Sequence, residues 1–187
     1  FYTEDSGLLS RYPISDSSTV YPLNDDRGSI YRLVTKKGNQ EFAVYTAHLD
    51  YRNCAYYDAR GYDGNNWNKI EPVTNLDSIL VLNRASVRDD AIARFIKEAE
   101  KDKAAGRIVI LGGDFNEPSH LDWTEATKDM RDHYGLVVPW DVSVMLEKAG
   151  YKDSYREKYP DPVTHPGFTC PADCPDIALK KLVWSPE

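Results

Sequence analysis

At 187 residues the chain has the length of about one domain, and 41% of it is apolar, enough to bury a substantial core. A net charge of −7 supplies no general attraction for a polyanion, so a sequence-independent grip on long nucleic acid is disfavoured and small or metal-bridged phosphate compounds are favoured. No apolar run approaches the roughly 18 residues that a bilayer-spanning helix requires.

The first extended run is Gly7-Leu-Leu-Ser-Arg-Tyr-Pro-Ile14, in which Arg11 is either a phosphate contact or a surface partner for a carboxylate. Ile30 to Thr35 and Glu41 to His48 are β-rich runs joined by Lys37-Gly-Asn-Gln, which predicts a hairpin. In the second run Phe42, Val44, Thr46 and His48 share one face, and Ala43, Tyr45, Ala47 and Leu49 the other. Both faces are mostly apolar, as in a strand covered on both sides. His48 ends this strand with Asp50 two residues on, an arrangement that suits acid–base work or an ordinary structural histidine.

From Tyr51 to Thr74 the chain is rich in Tyr, Asn and Gly and longer than an ordinary loop. Tyr56, Tyr57, Tyr62 and Trp67 alternate there with Arg52 and Arg60. Two readings are open. In one, Tyr62 and Trp67 belong to an aromatic wall for a sugar, base or inositol headgroup. In the other, the aromatics fill the small core of a self-packed loop. Val87 to Lys103 predicts a helix, with Ile92, Phe95, Ile96 and Ala99 as its apolar stripe and Gly106 beyond its end. Asp141 to Ala149 predicts another, capped by Asp141 and ended by Gly150.

Between those helices lies the most informative run, Ile108-Val-Ile-Leu-Gly-Gly-Asp-Phe-Asn-Glu-Pro118. In extended geometry Asp114 and Asn116 point one way and Phe115 the other, so Phe115 anchors the turn while the polar pair faces a cleft. Gly112 and Gly113, lacking Cβ atoms, allow a ligand or a neighbouring strand close to the backbone. Trp123, soon after, is a candidate for the cleft edge or for packing. No Gly-x-x-x-x-Gly-Lys-Ser/Thr loop and no Gly-x-Ser-x-Gly elbow occurs, so neither nucleotide-motor nor serine-hydrolase chemistry has support.

Gly113-Asp-Phe-Asn116 after an apolar strand resembles the signature of the endonuclease/exonuclease/phosphatase superfamily, the deoxyribonuclease-like metal-dependent hydrolases. Gly7 to Ile14 is similar to that family's "ILSRYPI" strand, and Val44-Tyr-Thr-Ala-His-Leu-Asp50 to its "THLD" strand end. Thr164-His-Pro-Gly-Phe-Thr169 resembles a later, weaker element. The resemblance implies an α/β fold, part of a two-sheet β-sandwich flanked by helices, with Glu41–His48 and Ile108–Asp114 as neighbouring central strands. It implies hydrolysis of a phosphodiester or phosphomonoester with Mg²⁺, or Mn²⁺ or Ca²⁺, in a nuclease, a phosphatase or a phospholipid or inositol-phosphate hydrolase. His48, Asp114 and Asn116 would be catalytic, with Asp114 also touching the metal. Arg11, Asp50, Tyr62, Trp67, Trp123 and Thr169 would meet substrate. The family's Glu-bearing strand and its Ser-Asp-His motif have no counterpart here, so the chain is expected to be the middle of a larger domain and weak or inactive alone. The alternative is a non-catalytic carbohydrate- or headgroup-binding module that uses residues 51–74. Cys170 and Cys174 in Cys-Pro-Ala-Asp-Cys suit a local disulfide or two reduced thiols better than zinc, and lean the chain towards an extracytoplasmic home.

Overall fold

The hairpin forms as expected, with Lys37 pairing Gln40 around a two-residue Gly38-Asn39 turn and Gly38 at φ +60°. In the computed structural model, which describes residues 7–21 and 27–167, it is the centre of a four-stranded sheet of order β1-β2-β3-β4. The strands are β1 (Ile14–Tyr21), β2 (Gly28–Lys37), β3 (Gln40–Leu49) and β4 (Ile108–Asp114). The first three run antiparallel, and β4 joins β3 in parallel.

The connection from β3 to β4 contains the helices α1 (Ala55–Ala59), α2 (Leu76–Asn83) and α3 (Arg88–Ala104); α4 (Asp141–Lys148) and α5 (Ser154–Lys158) follow β4. The stripe read from sequence puts Ile92, Phe95 and Ala99 of α3 into one core with Ala43, Tyr45, Ala47 and Leu49 of β3. Phe95 meets Tyr45 edge-on at 4.9 Å between ring centroids. Beside Tyr45, Asp102 of α3 takes both Arg32 Nε and Nη2, at 2.8 and 2.6 Å. This bidentate pair fastens the helix to β2.

Two expectations are corrected. The described residues make one four-stranded mixed sheet. Among them β4 is an edge strand rather than a central one, because an apolar run shows nothing of how many neighbours the rest of the chain provides. On the face opposite α3, Ile108 and Ile110 are each 47% exposed. Asp141 is the first residue of α4 rather than its cap; Trp140 holds the cap position without a side-chain bond. The Asp141 carboxylate is drawn instead to Arg84, at 2.9 and 3.0 Å.

Candidate active site

Parallel registration of β3 and β4 sets His48 directly beside Asp114. Alternation along the strands puts both on the face opposite α3, while Leu49 and Leu111 turn into the core. Their closeness depends on Gly113. Its backbone has φ +141°, and a Cβ there would lie 1.9 Å from the Ala47 carbonyl oxygen. Only glycine lets β3 approach. At Gly112, by contrast, a Cβ would meet nothing within 4 Å, so that position opens to solvent.

Beyond Asp114 the chain turns sharply. Phe115 packs against the core, as its alternation predicts. Asn116 adopts φ +48°, a left-handed conformation that Asn tolerates better than most residues. Its backbone N–H donates to Asp114 Oδ1 at 2.9 Å, and its side-chain Nδ2 reaches across to the Leu49 carbonyl at 2.8 Å. The amide therefore ties the turn to the end of β3, one residue past His48.

Glu117 follows, with its side chain almost wholly enclosed. Its Oε2 accepts from Asn83 Nδ2 at 2.7 Å and its Oε1 from the Val142 N–H at 2.6 Å. Burial pushes this carboxyl up to about 7, against the opposing hydrogen bond from Asn83 and the nearby Arg88 charge. Glu117 belongs to the longest motif of the sequence, but nothing local assigns it a role. A carboxylate next to the Asp-Phe-Asn turn was the available signal, but the partners that bury it come from α2, α3 and α4.

A family model described as the endonuclease/exonuclease/phosphatase family matches residues 2–175. The chain belongs to that family. Family members are generally hydrolases of phosphate esters and typically use divalent metals. An uncharacterized protein of Caenorhabditis elegans is 33% identical over 168 residues, covering 88% of this chain and 49% of that protein. The chain thus spans about half the length of the curated relative it matches. No solved structure matches it.

The other residues singled out from sequence fall in different places. Arg11 precedes β1, whose Ile14 pairs with Thr35, and Thr35 pairs with Phe42. It therefore lies at the end of the sheet remote from His48. Asp50 is buried, and its carboxylate accepts from the backbone N–H groups of Arg52 at 3.0 Å and Val87 at 3.3 Å. The latter bond places the negative charge at the start of α3, where it is favourable.

Trp123 is buried too, stacked on His133 at 3.9 Å and meeting Trp140 edge-on at 5.3 Å. Tyr62 is buried in the insert beside its bridge to Lys69. Trp67 differs: it is 55% exposed, at φ +62°, with its ring 5.9 Å from that of Tyr57. Its loop is tied to the turn in two steps, Cys54 N–H to the Gly64 carbonyl and Cys54 Sγ to the Asn116 carbonyl, each at 3.3 Å. Thr169, Cys170 and Cys174 lie outside the described residues.

Asp114 is exposed and offers carboxylate oxygen of the kind a hard cation prefers. Among the described residues, however, no group of three or more His, Cys, Asp or Glu side chains could hold a metal ion. These residues do not by themselves complete a divalent-cation site.

Proposed function

We propose that the chain carries the proton-transfer and phosphate-holding groups of a metal-dependent phosphoric ester hydrolase acting on a phosphodiester or phosphomonoester. The pairing of His48 with Asp114 across the parallel strands is the observation that supports this most strongly. Asp114 orients the attacking water and takes its proton. His48, its neighbour, serves as the acid–base partner or as a donor to the phosphate. One hydrogen of the Asn116 amide is committed to Leu49, which leaves the other for a phosphoryl oxygen as charge grows there. A bound Mg²⁺, or Mn²⁺ or Ca²⁺, would supply charge neutralisation at the phosphate. The exposed Ile108 and Ile110 support a second layer over this face, as in a two-sheet sandwich.

The exposed Trp67 supports a substrate-contacting wall in the insert, and equally the alternative of a binding module without catalysis. The two part company in one experiment: the full-length protein assayed with a panel of phosphodiesters and phosphomonoesters, with and without chelator. We expect chelator-sensitive turnover. His48→Ala and Asp114→Ala should each lower kcat by about a hundredfold or more, and Asn116→Ala by less. The isolated 187 residues should bind metal weakly and turn over slowly or not at all. Near-normal kcat in Asp114→Ala would sink the hydrolase reading.

A further inference from the structure

Arg88 is almost fully buried at the start of α3 and belongs to no part of the chemistry proposed above. Its Nη1 donates to the carbonyls of Asp50 at 2.7 Å and Arg52 at 3.1 Å, and its Nη2 to that of Asn53 at 3.0 Å. Those three carbonyls are the root of the aromatic insert, beginning two residues after His48. On its other side, Arg88 Nε lies 3.7 Å from Glu117 Oε2, and Nε has no hydrogen-bond partner. Asn83 closes the remaining gap, accepting from Arg88 Nη2 at 2.9 Å and donating to Glu117 at 2.7 Å.

We infer that Arg88 and Glu117 are positioning residues, a buried ion pair that holds the Asp114–Asn116 turn against the root of the insert. The inference rests on the reading of Asp114 and Asn116 as reacting groups.

One observation and two physical arguments carry it. The pair is a buried anchor shared by two irregular segments, beside the Asn116–Leu49 and Cys54–Asn116 bonds that also join them. A guanidinium that spends its Nη hydrogens on backbone carbonyls fixes loop geometry rather than binding a ligand. A buried ion pair is weak evidence for stability, because desolvation offsets the attraction; its best-supported use is to select one arrangement.

The device also responds to pH. The charged groups around Glu117 are Arg88 and Asp89 from the start of α3, Arg84 after α2 and Asp141 from α4. With its carboxyl near 7, Glu117 gains a proton as pH falls through neutrality and loses its attraction for Arg88. The hold on the turn is therefore strongest above pH 7 and slackens below it.

The test uses the intact protein, isotope-labelled, in an NMR titration from about pH 5 to 9. The signals followed are the Glu117 carboxyl carbon, the Asn116 side-chain amide and the Asn53 backbone amide. We expect both amides to shift with the Glu117 midpoint. In Glu117→Gln, a near-isosteric change, they should stay flat. In the same variant kcat should fall about tenfold to a hundredfold, as expected of sub-ångström misplacement, with KM changed far less. Asp114→Ala is the control for chemistry.

Asn116 and Asn53 signals that ignore the Glu117 titration would overturn the positioning role. So would a Glu117→Gln enzyme with unaltered kcat and pH profile when Asp114→Ala is inactive. A fully active Asp114→Ala would fault the hydrolase reading instead, and the titration would still decide the role of the pair. The wild-type titration needs no variant to fold.

Discussion

Beneath the sheet, Ile92, Phe95 and Ala99 of α3 cluster with Ala43, Tyr45 and Ala47 of β3; beneath the insert, Ala55, Ala59 and Ile79 cluster with Trp123, Val138 and Trp140. The first core is made of regular elements whose apolar residues recur with the period of a strand or a helix. The second joins two short helices to irregular chain and relies on large rings and on a buried ion pair. In that pair Arg60 gives Nε and Nη2 to Asp132 Oδ2, at 3.0 and 2.8 Å. The cores also serve different parts of the site. One fixes the strand ends that bear His48 and Asp114, and the other supports the insert that presents Trp67. The strand ends that bear His48 and Asp114 thus rest on repetitive structure, while the insert rests on individual long-range contacts.

The sharpest way to break the first core is at its tightest approach. Gly113→Ala must push a methyl group into the Ala47 carbonyl, from a backbone conformation that alanine rarely adopts. We expect a loss of stability above about 4 kcal/mol in a urea melt, with hydrolysis at background. Gly112→Ala, one residue earlier, meets open space and should melt within about 1 kcal/mol of wild type. Equal effects at the two positions would mean that the β3–β4 pairing does not depend on this contact.

Breaking the second core should separate stability from chemistry. Both side chains of the Arg60–Asp132 pair are almost wholly buried, so Arg60→Ala removes two guanidinium hydrogen bonds from a carboxylate inside the protein. That commonly costs about 3–5 kcal/mol. Because the strand ends do not rest on this pair, kcat measured well below the melting temperature should stay within about twofold while KM rises. A hundredfold fall in kcat, with the protein still folded, would show that the two cores act as one.

The same contrast governs what could be read from the chain. The hairpin and α3 follow from residue alternation and helical periodicity, which are local signals. The β3–β4 neighbourhood follows instead from the resemblance of both strand ends to one family's motifs. Phe115 could be placed because alternation continues one residue past the strand. Asp50 could not, since its carboxylate turns to the Val87 N–H, a partner remote in sequence. Trp123 and Tyr62 were equally ambiguous, because an aromatic residue in an irregular segment has no period to show which side it faces. Arg60 and Asp132 are 72 positions apart and carry no mutual signature. Glu117 was overlooked for the same reason: its neighbours in sequence are catalytic candidates, whereas its neighbours in space are Asn83, Arg88 and Val142.

The smallest expected effect sharpens the comparison most, since it bears on the most exposed aromatic residue of the insert. Trp67 is 55% exposed, yet its backbone is tightly held: its N–H donates to the Asp63 carbonyl at 2.8 Å, and Asp63 Oδ1 also takes the Asn65 and Asn66 N–H groups. A large ring on a well-held loop loses little freedom on binding and can stack on a flat ligand at low entropic cost. Such stacking is worth about 0.5–1.5 kcal/mol, which corresponds to roughly twofold to tenfold in affinity. It acts on substrate and transition state alike, so Trp67→Ala should raise KM by that factor and leave kcat nearly unchanged. Stability should hardly move, because the ring contributes little to the core beneath it. Steady-state kinetics with a short ester and with one bearing a sugar, base or inositol would decide the matter. An effect confined to the ring-bearing substrate assigns Trp67 to recognition, whereas an unchanged KM on both would leave the insert a self-packed support with no hand in binding.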